Sequence, residues 1–263
     1  MEYRILSKTI TFDVLEKYKN DFVHCYTRGT DSDGNDFDFT LESDNEDIMI
    51  KFTENIYLLG ETHGFNANNL VMVKQMHTDY IKKVTEDDLT CLDSYKNLPV
   101  FDAMITNVKG VTLATKHADC VPVYLVDPVK KAIGLAHSGW KGTLDMIAAK
   151  TVRKMKDELQ CEEKNIICVI GPSICPKCYN VQEDVRLLFI NKLPCLSEYI
   201  DKVSTGYKLD LKGVIQFSLI NCGITPENIY VCNLCTSCNN DVLHSHRASK
   251  GKCGRSLALL GLR

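Results

Sequence analysis

Short apolar or alternating runs separated by polar turns dominate the first half of the chain. Longer helical periodicity enters in the second half. Tyr3–Leu6, Lys8–Phe12 and Phe22–Arg28 predict strands, and Val14–Tyr18 fits a short helix or a connection. Gly29–Asp36 is a polar loop whose Asp, Asn and Gly content is faintly like a calcium loop. It lacks the closing Glu at the required position, so calcium is not expected. Leu70–Val73, Met104–Val108 and Gly110–Ala114 are further strand candidates. Leu144, Ile147, Ala148, Val152, Met155 and Leu159 recur at helical spacing, with Thr143 as a candidate N-cap. Ile166–Ile170 predicts a buried strand and Ile229–Cys232 a late strand, while 185–193 and 209–219 predict helices. Strands and helices interleave from end to end, without a repeat or linker. The pattern predicts a single domain of the α/β or α+β class.

The densest chemistry lies in one hairpin. Val121–Val126 and Ala132–Ala136 read as strands joined by a turn at Asp127-Pro128. A hairpin folded near residues 128 and 129 places Cys120 opposite His137, with Cβ atoms about 4.5–5.5 Å apart. That separation suits a shared metal ion, a catalytic thiol–imidazole pair, or two side chains that merely pack. The segment His137–Gly142 then joins a strand to a helix, and its glycines and Lys141 suit either a tight turn or an anion site.

Composition narrows the class. Hydrophobic residues make up 44% and charged residues 25%, as in an ordinary soluble globular protein, and the net charge of −3 does not favour nucleic acid. No apolar stretch reaches membrane-spanning or signal-peptide length, so a cytoplasmic protein is expected. Thirteen cysteines is an odd number, so internal pairing cannot be complete, and reduced thiols are expected.

Other residues can be read two ways. His77 lies 43 positions before Cys120 (120 − 77), too far for spacing to connect it to the hairpin. Asp119 could orient a histidine or a substrate, or simply cap a turn, and His117 is a weaker candidate. Cys232, Cys235 and Cys238, with Cys175 and Cys178 earlier, could supply four thiolates to a structural zinc or iron–sulfur site, though the pairs are not of the usual zinc-ribbon form. The basic segments at 244–247 and 251–255 suit a phosphate or a solvated loop.

Assembled, these segments resemble the bacterial laccase-domain family, known variously as polyphenol oxidoreductases, peptidoglycan editing factors and multifunctional purine nucleoside phosphorylases. The matching blocks are Thr27-Arg28-Gly29, Gln75-Met76-His77, Phe101-Asp102-Ala103, Ala118–Val123, His137–Gly142, Gly171–Ile174, Tyr179–Val181, Cys235-Thr236, Ser245-His246-Arg247 and Gly254-Arg255, in family order. The resemblance implies a single α/β domain over 1–263, of layered mixed β-sheets flanked by helices, with zinc, or copper in its place, held by His77, Cys120 and His137. It also implies purine nucleosides and inorganic phosphate as partners. The activities implied are phosphorolysis of adenosine, inosine, guanosine and methylthioadenosine, and deamination of adenosine. On that reading Asp119 and His117 are candidates for moving a proton. Arg28, Lys141, Arg247 and Arg255 are candidates to bind phosphate, and a monomer is favoured. The alternative implied by the editing name is a cysteine amide hydrolase with Cys120 as nucleophile. Four-copper chemistry is discounted, because seven histidines with one His-x-His are too few for it. Lys141, Asn180 and His246 depart from the arginine, glutamate and tyrosine common in the family, and the loop after Arg28 lacks a second glycine.

Overall fold

The computed structural model describes residues 1–41, 45–89 and 98–263. Two six-stranded mixed sheets pack face to face, with a helix layer outside each. The first sheet runs β1 (Tyr3–Ile5), β2 (Thr9–Phe12), β3 (Phe22–Thr27), β15 (Ser256–Leu262), β7 (Thr112–His117), β4 (Leu70–Met72). The second runs β14 (Ile229–Val231), β10 (Ile167–Ile170), β8 (Val121–Asp127), β9 (Ala132–Ser138), β6 (Ala103–Thr106), β5 (Ile81–Lys83). A small sheet, β11 (Asn180–Val181), β13 (Gly206–Leu209) and β12 (Ile200–Val203), caps one end.

The period-two alternation of strands explains this layering. In β8, Tyr124 and Val126 face the first sheet, while Val121, Val123 and Leu125 face the helices α4 (Ile147–Leu159) and α6 (Leu211–Asn221). In β15, Ala258, Leu260 and Leu262 point into the gap between the sheets; Leu257 and Leu259 pack on Phe52, Ile56 and Leu59 of α2 (Glu46–His63). The Tyr124 hydroxyl crosses the gap and donates to the Cys25 carbonyl at 2.9 Å. Strands buried on both faces read as continuous apolar runs, and that is how the hairpin strands and β10 were recognisable.

The structure corrects three expectations. The helix expected from residue 144 is two helices, α3 (Trp140–Leu144) and α4, separated at Met146, whose φ is 58°. Thr143 is inside α3, bonded to the Ser138 hydroxyl at 2.8 Å, so it is no N-cap. The break lets the chain leave β9 in a short turn of helix and then lie along the sheet. The hairpin register is also offset. Asp127 accepts the N–H groups of Val129 and Lys130, and Lys131 takes a left-handed φ of 50°, making a wider turn. His137 therefore faces Pro122, and Cys120 lies diagonal to it. Because the offset preserves parity, both side chains still point to the same face. The apolar pattern also missed α2, β15 and the small sheet.

Candidate active site

The inter-sheet layer ends in a polar cluster. His137 occupies the last turn of β9 on the face of Ile133 and Leu135, and Cys120 precedes β8 on the face of Tyr124. His77 arrives on the segment between β4 and β5, which passes from the first sheet to the second. Two side chains anchor that segment. The Gln75 amide donates to the Lys116 carbonyl and accepts the Lys116 N–H, both at 2.8 Å. The buried Asp102 carboxylate, just before β6, accepts the N–H groups of Met76, His77 and Thr78 at 2.7–3.1 Å, and the Thr78 hydroxyl. His77 is held at a left-handed φ of 59°, a strained value that surrounding bonds must enforce.

Asp102 also bonds His137 Nδ1 at 2.8 Å, leaving Nε2 as the ring's other nitrogen. The His77 and His137 rings stack with centroids 5.1 Å apart. Donor atoms of His77, Asp102 and His137 lie within 4.8 Å of one another. The Cys120 sulfur lines the same cavity as His77 and His137. A Cβ on Gly139 would lie 3.0 Å from that sulfur and 3.6 Å from the His77 ring, so a larger residue there would press on the thiol. Burial opposes charge on His137. The electrostatic pull of the Cys120 sulfur and the Asp102 hydrogen bond outweigh it and raise the imidazole to about 9. Burial likewise works to raise Asp102, but His137 and the Thr78 donors hold it down at about 2. Desolvation and the nearby His137 lower His77.

The cluster opens into a cavity of about 570 Å³. Its walls include the half-buried Trp140 and Tyr179, the aliphatic Ile174 and Leu211, and the cations Lys74, Lys116, Arg247 and Arg255. The Arg247 guanidinium lies 5.0 Å from the Tyr179 ring centre. Asp119 is the only carboxylate lining the cavity among the described residues, and it is engaged. It accepts the Thr236 hydroxyl at 2.6 Å, the Ser245 hydroxyl at 2.7 Å and the Arg247 N–H at 2.7 Å, pinning the C-terminal loop to the site. Its φ of 84° is a second strained position.

The sequence model of the multi-copper polyphenol oxidoreductase laccase family matches residues 25–263. The chain belongs to this family. Among curated laccase-family relatives, a purine nucleoside phosphorylase of Geobacillus stearothermophilus is 37% identical over 209 residues, covering 78% of this chain and 76% of that protein. One from Bacillus subtilis is 34% identical over 197 residues, 73% and 70% of the two chains. A human purine nucleoside phosphorylase is 34% identical over 234 residues, but the match spans about half of its length, 52%. The solved structure of a Bacillus licheniformis hypothetical protein superposes with a TM-score of 0.86 at 29% identity, covering 99% of both chains. The Geobacillus YlmD structure gives 0.82 at 31% identity over 92% of both.

Of the residues singled out in the sequence, the laccase-family fold brings together His77, Cys120, His137, Asp119, Arg247 and Arg255 at the cavity. Arg28 lies elsewhere, its guanidinium on the carbonyls of Leu6 and Ser7. Lys141 is exposed on α3, 5.6 Å from the Trp140 ring centre and outside the cavity lining. His117 is buried with both ring nitrogens engaged, one with the Thr115 hydroxyl at 2.8 Å and the other with the Cys120 carbonyl at 3.1 Å. Asp102 was quoted only as part of a family block; its role has no local signature, because its partners are 24 to 35 residues away. The polar loop at 31–36 satisfies itself: Asp31 accepts from Lys8, Asp33 and Asn35.

Proposed function

We propose that the chain is a zinc-dependent purine nucleoside phosphorylase acting on adenosine, inosine, guanosine and methylthioadenosine, with deamination of adenosine as a second activity. The observation that carries it is the convergence of His77, Cys120 and Asp102-oriented His137 on a cation-lined cavity in a relative of purine nucleoside phosphorylases. Two imidazoles and a thiol are the donors of an open catalytic zinc site, and a carboxylate behind one ligating histidine is its usual support. His77, Cys120 and His137 would hold the ion. When bound, it supplies Lewis acidity toward an oxygen or phosphoryl group.

The chain's own groups account for the rest. Phosphorolysis transfers a phosphate oxygen to C1′ as the C1′–N9 bond breaks, with that electron pair leaving on the purine. Arg247 and Arg255 bring donors to the phosphate, and their charge offsets its own. The half-buried phenol of Tyr179 is driven further toward its neutral form by burial, and its ring offers the purine an apolar face. Asp119 keeps Arg247 in place through the backbone rather than meeting substrate with a free carboxylate. His117, with both nitrogens bonded, supports the Cys120 turn better than it shuttles protons. Four-copper oxidation finds too few donors, since the described histidines in or beside the cavity are His77, His117, His137 and His246.

The test is adenosine with metal-quantified protein, with and without phosphate. Adenine and ribose 1-phosphate formed only with phosphate support phosphorolysis, and inosine in both arms supports deamination. Neither product would refute the reading. A second reading is favoured by one observation: Cys120, His137 and Asp102 line up as nucleophile, base and orienting acid. Covalent trapping of Cys120 by an electrophilic amide analogue in chelated protein would support that hydrolase.

A further inference from the structure

Four of the late cysteines converge at a second place. Cys175 and Cys178 follow β10, and Cys235 and Cys238 follow β14. These strands are parallel neighbours, so their C-terminal ends emerge side by side. A bridge between Ser173 and Cys235 continues the pairing past the strands. Residues 60 positions apart thereby become adjacent. Cys232, although in the same sequence run, is fully buried in the inter-sheet core and is not one of this group.

We propose that Cys175, Cys178, Cys235 and Cys238 form a structural tetrathiolate site for one zinc ion, distinct from the His77–Cys120–His137 cluster. All four sulfur atoms lie within 4.8 Å of one another, and Cys178 and Cys238 are 3.4 Å apart. Zinc–sulfur bonds of about 2.3 Å in a tetrahedron require sulfur–sulfur edges of about 3.8 Å. A cubane iron–sulfur cluster spreads its thiolates wider, because each binds a different iron, so the spacing selects a single ion. The backbone is shaped for thiolate sulfur. Cys235 Sγ accepts the Cys175 N–H at 3.2 Å and the Cys238 N–H at 3.4 Å. The buried Lys212 ammonium, anchored on the carbonyls of Cys232 and Leu234, places a positive charge beside thiols that lose their protons on binding. The ion would tie together two turns that flank the cavity, one continuing from Ile174 into Tyr179 and the other into Thr236, which bonds Asp119. This inference stands apart from the nucleoside reading.

The experiment loads the Cys120→Ala variant with cobalt, so that no thiolate at the other cluster contributes. The expected spectrum is that of tetrahedral tetrathiolate cobalt, with strong thiolate-to-metal charge-transfer bands. Adding Cys178→Ser and Cys238→Ser should abolish those bands and remove about one zinc per chain from the isolated protein. Absence of the bands in Cys120→Ala overturns the proposal, and that measurement needs no change at the four cysteines. So does unchanged zinc content in the triple variant, or a thiol count on native protein that finds the four cysteines oxidised in pairs.

Discussion

Asp102 shows how one buried carboxylate can organise a site. It fixes three consecutive backbone N–H groups of the His77 segment and one nitrogen of His137. Asp102→Asn keeps the volume but loses the charge and one acceptor face. It is expected to weaken zinc binding at His77–Cys120–His137 by about 10- to 100-fold, read by competition with a chelating dye. His24 makes a different prediction at this scale. Its Nε2 accepts the Phe12 N–H at 2.8 Å, which requires the neutral ring. Burial and the nearby His63 lower it to about 3, despite Glu16 at 3.8 Å. Below about pH 6.5 the unfolded chain therefore binds a proton that the fold rejects, and stability falls as pH falls. From about pH 7.5 to about pH 5.5 the His24 contribution is a loss of about 1.4 kcal/mol. Urea unfolding at both pH values should show that loss diminished in His24→Gln; an identical slope would count against it.

At the scale of elements, the hairpin and α2 carry opposite lessons. The β8–β9 strands are apolar on both faces, so their existence was plain, but their register depended on a turn built by Asp127 and Lys131. The offset leaves Cys120 and His137 on one face because side-chain direction depends on parity alone. α2 escaped notice because its buried face, Phe52, Ile56 and Leu59, is narrow and its surface carries Ile48, Ile50 and Tyr57 as well, which blurs the amphipathic stripe. It packs on the outer face of the first sheet, away from the cavity. Phe52→Ala should therefore cost about 3–5 kcal/mol in urea unfolding while leaving substrate KM unchanged.

Across the whole molecule, charge is unevenly placed. The chain carries a net −3, yet four cations line the cavity. Phosphate affinity should accordingly weaken as ionic strength rises, because exposed charges are screened within about 10 Å at 0.1 M salt. Arg247→Ala should raise the KM for phosphate by about 10- to 100-fold, with a smaller effect on the KM for nucleoside, in steady-state assays varying each in turn. Equal effects on both would place Arg247 at the base or sugar instead.

The sequence by itself determined the interleaving of strands and helices, the buried strands and the shared face of Cys120 and His137. These follow from local periodicity, which a strand expresses wherever it is placed. The blocks around Gln75, Phe101 and Tyr179 were visible as blocks, but their roles were not. Tertiary structure alone brought His77 to the hairpin, put Asp102 behind His137 and turned Asp119 toward the C-terminal loop. It moved Arg28 and Lys141 off the cavity and gathered four cysteines at the ends of two parallel strands. Those relations join residues tens of positions apart through sheet order and chain crossings, and no short-range pattern of apolar and polar positions encodes them.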